Sequence, residues 1–205
     1  MDTPLRSWAG NRPVTSPFAR PVGTRGRLAG RFMLWTNKQD DVLHILDVQP
    51  GDRVLEVGYG PGGLVRLLVT RSEAAVIRGV DPSSEMRRAA TKANRRAVRS
   101  GRVTLDLGTA DHTGLADQSM DRVASVNNVG IWPDLEAGLR ELHRVVRPGG
   151  VVVIAWHGGV SPGRITRRLR LPEAKLQRIE RALQKLFADV SRRDMQSLVV
   201  FKAVR

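Results

Sequence analysis

Residues 54–63 read Val-Leu-Glu-Val-Gly-Tyr-Gly-Pro-Gly-Gly, a pattern with few ways to fold. Val54, Leu55 and Val57 suit a buried strand, and Leu64, Val65, Leu67 and Leu68 open a helix. Between them Gly58, Gly60, Gly62 and Gly63 leave a turn whose backbone can approach a ligand closely. A strand, a glycine turn and a helix N-terminus together make a nucleotide-sized cradle. Glu56 falls inside the strand-to-turn junction, where a buried carboxylate is costly without a partner.

The 205 residues suffice for one α/β domain with a full core. With no cysteine, disulfides, thiolate zinc sites and cysteine nucleophiles are excluded. His44, His112, His143 and His157 show no metal-ligand spacing, so no metal is expected. No apolar run reaches the roughly 20 residues of a membrane span. Met1–Arg20 lacks the apolar centre of a signal peptide, so a cytoplasmic protein is expected.

The net charge of +14 is unevenly placed. Residues 39–159 balance fifteen basic against fifteen acidic side chains, so the excess falls on residues 1–38 and 160–205. Inside the neutral middle Arg87, Arg88, Lys92, Arg95, Arg96, Arg99 and Arg102 cluster. Such surfaces can attract nucleic acid, anionic lipid or an acidic partner. Only five of the 34 basic residues are lysine, and an arginine-biased composition explains the charge equally well.

Residues 1–26, rich in proline and glycine, read as a mobile basic arm. A single domain over 27–205 follows: amphipathic N-terminal helices over 27–48, a core over 49–157 that carries the glycine turn, and a basic helix with a terminal strand over 158–205. Within the core, strands are predicted over 53–57, 74–80, 103–107, 120–126 and 151–156. Helices are predicted over 62–71, from Ser83 or Ser84 to Ser100, and over 135–146, the last ended by Arg147-Pro148-Gly149-Gly150. A charged helix over 172–187 and a strand over 197–204 complete the chain. The alternation predicts a doubly wound, mostly parallel sheet with helices on both faces.

The glycine turn alone also fits the dinucleotide fingerprint of dehydrogenases, which likewise place an acid where Asp81 ends the second strand. Three features break the tie. Glu56, just before the turn, can meet a cationic amino-acid group and would repel a pyrophosphate. Asp111, after the third strand, can accept from an adenine amine. The string Leu139–Trp156 supplies a helix, a Pro-Gly-Gly turn and an apolar strand after the fourth strand.

Together these motifs resemble the class I S-adenosylmethionine-dependent methyltransferases, most like the small bacterial methyltransferase-domain enzymes. The resemblance covers about residues 40–157 and, loosely, the last strand. It implies a Rossmann-like seven-stranded sheet with an antiparallel final strand, S-adenosyl-L-methionine as cofactor and S-adenosyl-L-homocysteine as product. By the family pattern Glu56, Gly58, Gly60 and Gly62 hold the methionine portion, and Asn127 and Asn128 line the same side. Asp81 binds the ribose, with Pro82 and Ser83 beside it and Met86 near the adenine, whose edge meets Ala110 and Asp111.

Other residues are open to two readings. Trp132 is expected to wall the substrate pocket rather than the core edge, and Trp35 and Phe32 to pack while covering the cofactor, with Trp35 also a candidate substrate contact. His157 and His112 are candidate catalytic groups; His157, also a candidate substrate contact, could instead be a polar strand end, and His112 could stack or face solvent. Asn127-Asn128-Val129-Gly130 departs from the Asn/Asp-Pro-Pro-Tyr/Phe pattern of amide and base N-methylating enzymes, so that chemistry is not supported. The expected acceptor is a small molecule, natural product or lipid-like compound, anionic or carrier- or peptide-linked. RNA drawn by the basic flanks is the alternative, and a non-catalytic partner subunit a third. A homodimer could complete the pocket.

Overall fold

The computed structural model describes residues 6–10 and 39–205. Helix α1 (Asp40–Leu46) leads into β1 (Arg53–Val57), α2 (Gly63–Arg71), β2 (Val76–Asp81), α3 (Ser84–Ala93), α4 (Arg95–Arg99), β3 (Val103–Leu107) and β4 (Met120–Val126). A short 3₁₀ turn over Val129–Ile131 precedes α5 (Leu135–Val145), β5 (Val146–His157), α6 (Arg164–Arg167), α7 (Glu173–Gln184), β6 (Asp189–Asp194) and β7 (Leu198–Val204). The seven strands run in the order β3-β2-β1-β4-β5-β7-β6. The first five are parallel, and β7 is antiparallel to both β5 and β6.

Strand alternation divides the interior into two layers. Leu55, Val57, Val123, Val152 and Ile154 face α5 and α7, whereas Val54, Ala124, Val126, Val153 and Ala155 face α1 to α4. Glu56 lies between Leu55 and Val57, so its side chain belongs to the second face, at the carboxyl end of β1. In open parallel sheets this end, near the point where strand order reverses, is where ligands bind.

Three differences from the sequence expectations have physical causes. The helix expected to run to Ser100 breaks at Asn94, whose Nδ2 donates to Gly62 O (3.3 Å) and Ala90 O (3.0 Å), tying the break to the glycine turn. Pro148-Gly149-Gly150 does not separate α5 from β5; it lies within β5, where the register against β4 shifts between Met120 and Arg122. A Cβ on Gly150 would sit 2.8 Å from Asp121 O, so the chain passes too close for a side chain. Residues 6–10, part of the expected mobile arm, are docked. Trp8 donates from its backbone N to Trp132 O (3.0 Å) and from Nε1 to Val129 O (2.6 Å). Lys175 and Arg178 of α7 lie over its ring.

The loop after β4 is held by one buried amide. Asn128 Nδ2 donates to Val57 O (2.6 Å), while its Oδ1 accepts from Ser125 Oγ (2.7 Å) and Trp132 Nε1 (2.7 Å). Replacing Asn128 with Ala would leave all three of those groups without that partner in a dry interior. Urea unfolding of Asn128→Ala should show a loss of about 3 kcal/mol or more; a loss under ~1 kcal/mol would show that the amide is not what joins β1, β4 and the loop.

Candidate cofactor site

The glycines of the turn serve different neighbours. A Cβ on Gly58 would fall 2.2 Å from Asn128 Nδ2, and one on Gly62 would fall 2.7 Å from Asn94 Nδ2 and 2.9 Å from the Ala90 Cβ. Those two glycines let structural side chains approach the backbone. Gly60 has φ +52°, and a Cβ added there would meet nothing within 4 Å, so its backbone faces open space.

A cleft of about 230 Å³ opens there. Of the expected cofactor residues, Glu56, Gly58, Gly60 and Asn127 line it. They are joined by Gln39 and Asp40 at the start of α1, by Tyr59, and by Arg66 on α2. Sequence reading passed over all four. Arg66 carried a readable signal, because it falls four residues after Gly62 in the first turn of the helix that the glycine turn opens.

Glu56 is the unusual group. It is 2% exposed, and its Oε2 is buried with no hydrogen-bond partner among the described residues. Burial pushes its carboxyl well above the ordinary carboxylate range, and the nearby negative charge of Asp81 adds to the effect. A hydrogen bond from the Val65 backbone N–H, at the start of α2, pulls it partway back. Asp81 is also buried and raised by burial, but its partners are in place: Oδ2 accepts from Gly60 N (2.9 Å) and Oδ1 from Ser83 N (2.9 Å). Asp81 thereby fixes the turn and the start of α3, where Ser83 is the N-cap through Met86 N (3.3 Å).

The remaining expected residues are placed as follows. Pro82 is half-buried beside Asp81, while Met86 is buried among the helices of the second layer. Ala110 is buried in the opposite layer. Asp111 and His112 are exposed on a tight turn closed by the Thr109–His112 pair. His157 ends β5 on the face shared by Glu56 and Val126, and burial pushes its imidazole down to about 4. Trp35 and Phe32 lie outside the described residues.

Two expectations are corrected. Trp132 does not wall the cleft: it is 5% exposed, bonded to Asn128, and stacked so closely on α5 that a Cβ on Gly138 would meet its ring at 2.5 Å. Asn128 does not face the cleft either, because its amide is fully used in the interior.

Comparison with known proteins decides what this cradle belongs to. A family profile described as "Methyltransferase domain" matches residues 55–154. The uncharacterized methyltransferase YdaC of Bacillus subtilis is 33% identical over 129 residues, which is 62% of this chain and 69% of YdaC. The chain belongs to the class I S-adenosylmethionine-dependent methyltransferases. The ubiquinone/menaquinone biosynthesis C-methyltransferase UbiE of Geotalea daltonii is 30% identical over 106 residues, covering 51% of this chain but 45% of UbiE. A putative S-adenosyl-L-methionine-dependent methyltransferase from Methanococcus maripaludis superposes with a TM-score of 0.71 over 87% of this chain and 93% of its own, at 18% identity, a likeness of fold.

This methyltransferase thus carries a buried acid that the fold alone does not stabilise. The carboxyl of Glu56 is raised above its unfolded value, so folding favours its neutral form: wild type loses stability as the pH climbs through the folded-state value. Glu56→Gln should therefore melt higher than wild type at pH 8, with the difference vanishing near pH 4. Equal melting temperatures at both pH values would show that the carboxylate is not strained.

Proposed function

We propose that this methyltransferase holds S-adenosylmethionine along the carboxyl edge of β1, β2 and β4 and passes its methyl group to a small-molecule or lipid-like acceptor. The observation that carries the first half is Glu56 Oε2, a buried acceptor with no partner among the described residues, beside the open backbone of Gly60. A cationic amino group is the partner such an oxygen lacks. The residues present therefore fit the methionine end of the cofactor.

In this reading Glu56 receives the ammonium group, while Gly58, Gly60 and Asn127 shape the surrounding wall. Asp81, already oriented by Gly60 N and Ser83 N, keeps a second lone pair on each oxygen for ribose hydroxyls. Gly62 acts at one remove by letting Asn94 and Ala90 close beneath the turn. Pro82, Ser83 and Met86 support the adenosine half, with Ala110 and Asp111 at its edge. The bound cofactor supplies an already activated methyl on a sulfonium, released by in-line displacement. The chain's task is then to orient and desolvate, and a dedicated base is optional. To His157, neutral at physiological pH and at the end of β5 on the same sheet face, we assign the acceptor proton where one must leave.

The distribution of charge favours a small acceptor. The cleft is lined by one cation, Arg66, and two acids. Part of the basic tail is committed to structure: Arg178 pairs with Glu136, Arg192 with Glu173, and Arg205 donates to the carbonyls of His143 and Val146. The relative named for ubiquinone and menaquinone biosynthesis supports a lipid-like acceptor. Arg164, Arg167 and Arg168, exposed on the segment after β5, suit an anionic one. RNA is the second reading, favoured by a groove lined by Arg87, Arg88, Lys92, Arg95 and Arg99 on α3 and α4.

Calorimetric titration with S-adenosylhomocysteine should give one site per chain, and Asp81→Asn should weaken it at least about tenfold. Unchanged affinity in that variant would remove Asp81 from the ribose site. Transfer of tritiated methyl from labelled cofactor into extract fractions should label organic-soluble small molecules. Label confined to RNA would reverse the order of the two acceptor readings.

A further inference from the structure

The cofactor reading leaves one end of the methionine group without a partner. An amino acid carries an ammonium and a carboxylate on the same carbon, and Glu56 answers only the first. The cleft contains a second, opposite charge. Arg66 projects from the first turn of α2 and is the one cation among the residues that line the cleft. Its side chain is exposed, and it forms no ion pair within 4 Å among the described residues.

The other acid at the cleft does not compete for it. Asp40 pairs with Arg71, one helical turn and a half further along α2. That pair neutralises itself at the rim. What is left is a buried acid and a guanidinium that share a cleft without pairing with each other: Glu56 buried, Arg66 exposed. An acid that an arriving ammonium would ionise and a fixed guanidinium held apart from it together match the two ends of a zwitterion. The α2 N-terminus, whose Val65 N–H is bonded to Glu56, adds a positive dipole end beside the same cleft.

We infer that Arg66 is the carboxylate-binding residue of this cleft, so that Glu56 and Arg66 together read the free amino-acid end of the cofactor. This role rests on the cofactor reading of the cleft and adds a residue outside the glycine turn and the strand-end acids. Guanidinium suits the task because it presents paired donors in a plane that matches a carboxylate. The consequence is discrimination: ligands that keep the zwitterion gain from Arg66, and adenosine thioethers that lack it do not.

Titration of the whole chain with two ligands separates the possibilities. S-Adenosylhomocysteine keeps the amino-acid end; 5′-methylthioadenosine keeps the adenosine and sulfur only. Arg66→Ala should weaken S-adenosylhomocysteine on the order of tenfold and leave methylthioadenosine within about twofold of wild type. Arg66→Lys should recover part of the loss, since it restores the charge without the planar fork. Equal affinity of Arg66→Ala and wild type for S-adenosylhomocysteine would overturn the assignment. An equal loss for both ligands would overturn it too, because the residue would then shape the cleft rather than read the carboxylate. Failure of wild type to bind either ligand would instead sink the cofactor reading, and the role of Arg66 with it.

Discussion

The burial of Glu56 is the constraint on which the site depends. A carboxylate removed from water needs a compensating charge or a full set of hydrogen bonds. Here one bond comes from the Val65 backbone, the nearby Asp81 repels, and Oε2 has no partner among the described residues. The fold tolerates this because Asp81 spends its own oxygens on Gly60 and Ser83, which locks the turn around the strained group. Stability is given up where a ligand can restore it, the pattern expected at a functional site.

The geometry that presents Glu56 is set by neighbours that never reach the cleft. Asn128 clasps the carboxyl ends of β1 and β4, and it can do so only because Gly58 has no Cβ. Asn94 breaks one helix to hold the far end of the same turn, and Gly62 makes room for it. Trp8, docked on the backbone of the loop after β4, ties the N-terminal segment and α7 to the same clasp. The cradle is therefore rigid at both ends and open in the middle, at Gly60.

Much of this was legible in the sequence, for reasons that also explain what was not. Val54, Leu55 and Val57 fix the face on which Glu56 must lie, because strand alternation has a strict period. Ser83 could be read as a cap because its local chemistry is self-contained. Trp132 and Asn128 could not be placed, since they sit in an irregular loop where no periodicity says which way a side chain points. Pro148-Gly149-Gly150 looked like a helix stop because a bulge inside a strand uses the same residues as a turn. The edge strand β6 went unread because Asp-Val-Ser-Arg-Arg-Asp has one apolar residue in six and alternates nothing. The charge excess was visible but its meaning was not. Arg102 was part of an apparent basic cluster, yet it caps the carbonyls of Ala74, Val69 and Ser72.

In the proposed reading, cofactor capture turns on a single electrostatic event, the meeting of the strained Glu56 carboxyl with a cationic amino group. Burial favours its protonated form in the free protein, and a neighbouring ammonium would favour the ionised form, so binding must expel a proton. The direct measurement is titration with S-adenosylhomocysteine across the acid-to-neutral pH range in buffers of different ionisation enthalpy. Net proton release that disappears in Glu56→Gln is the expected result. Binding with no proton release, or with the same release in that variant, would contradict the central role of Glu56.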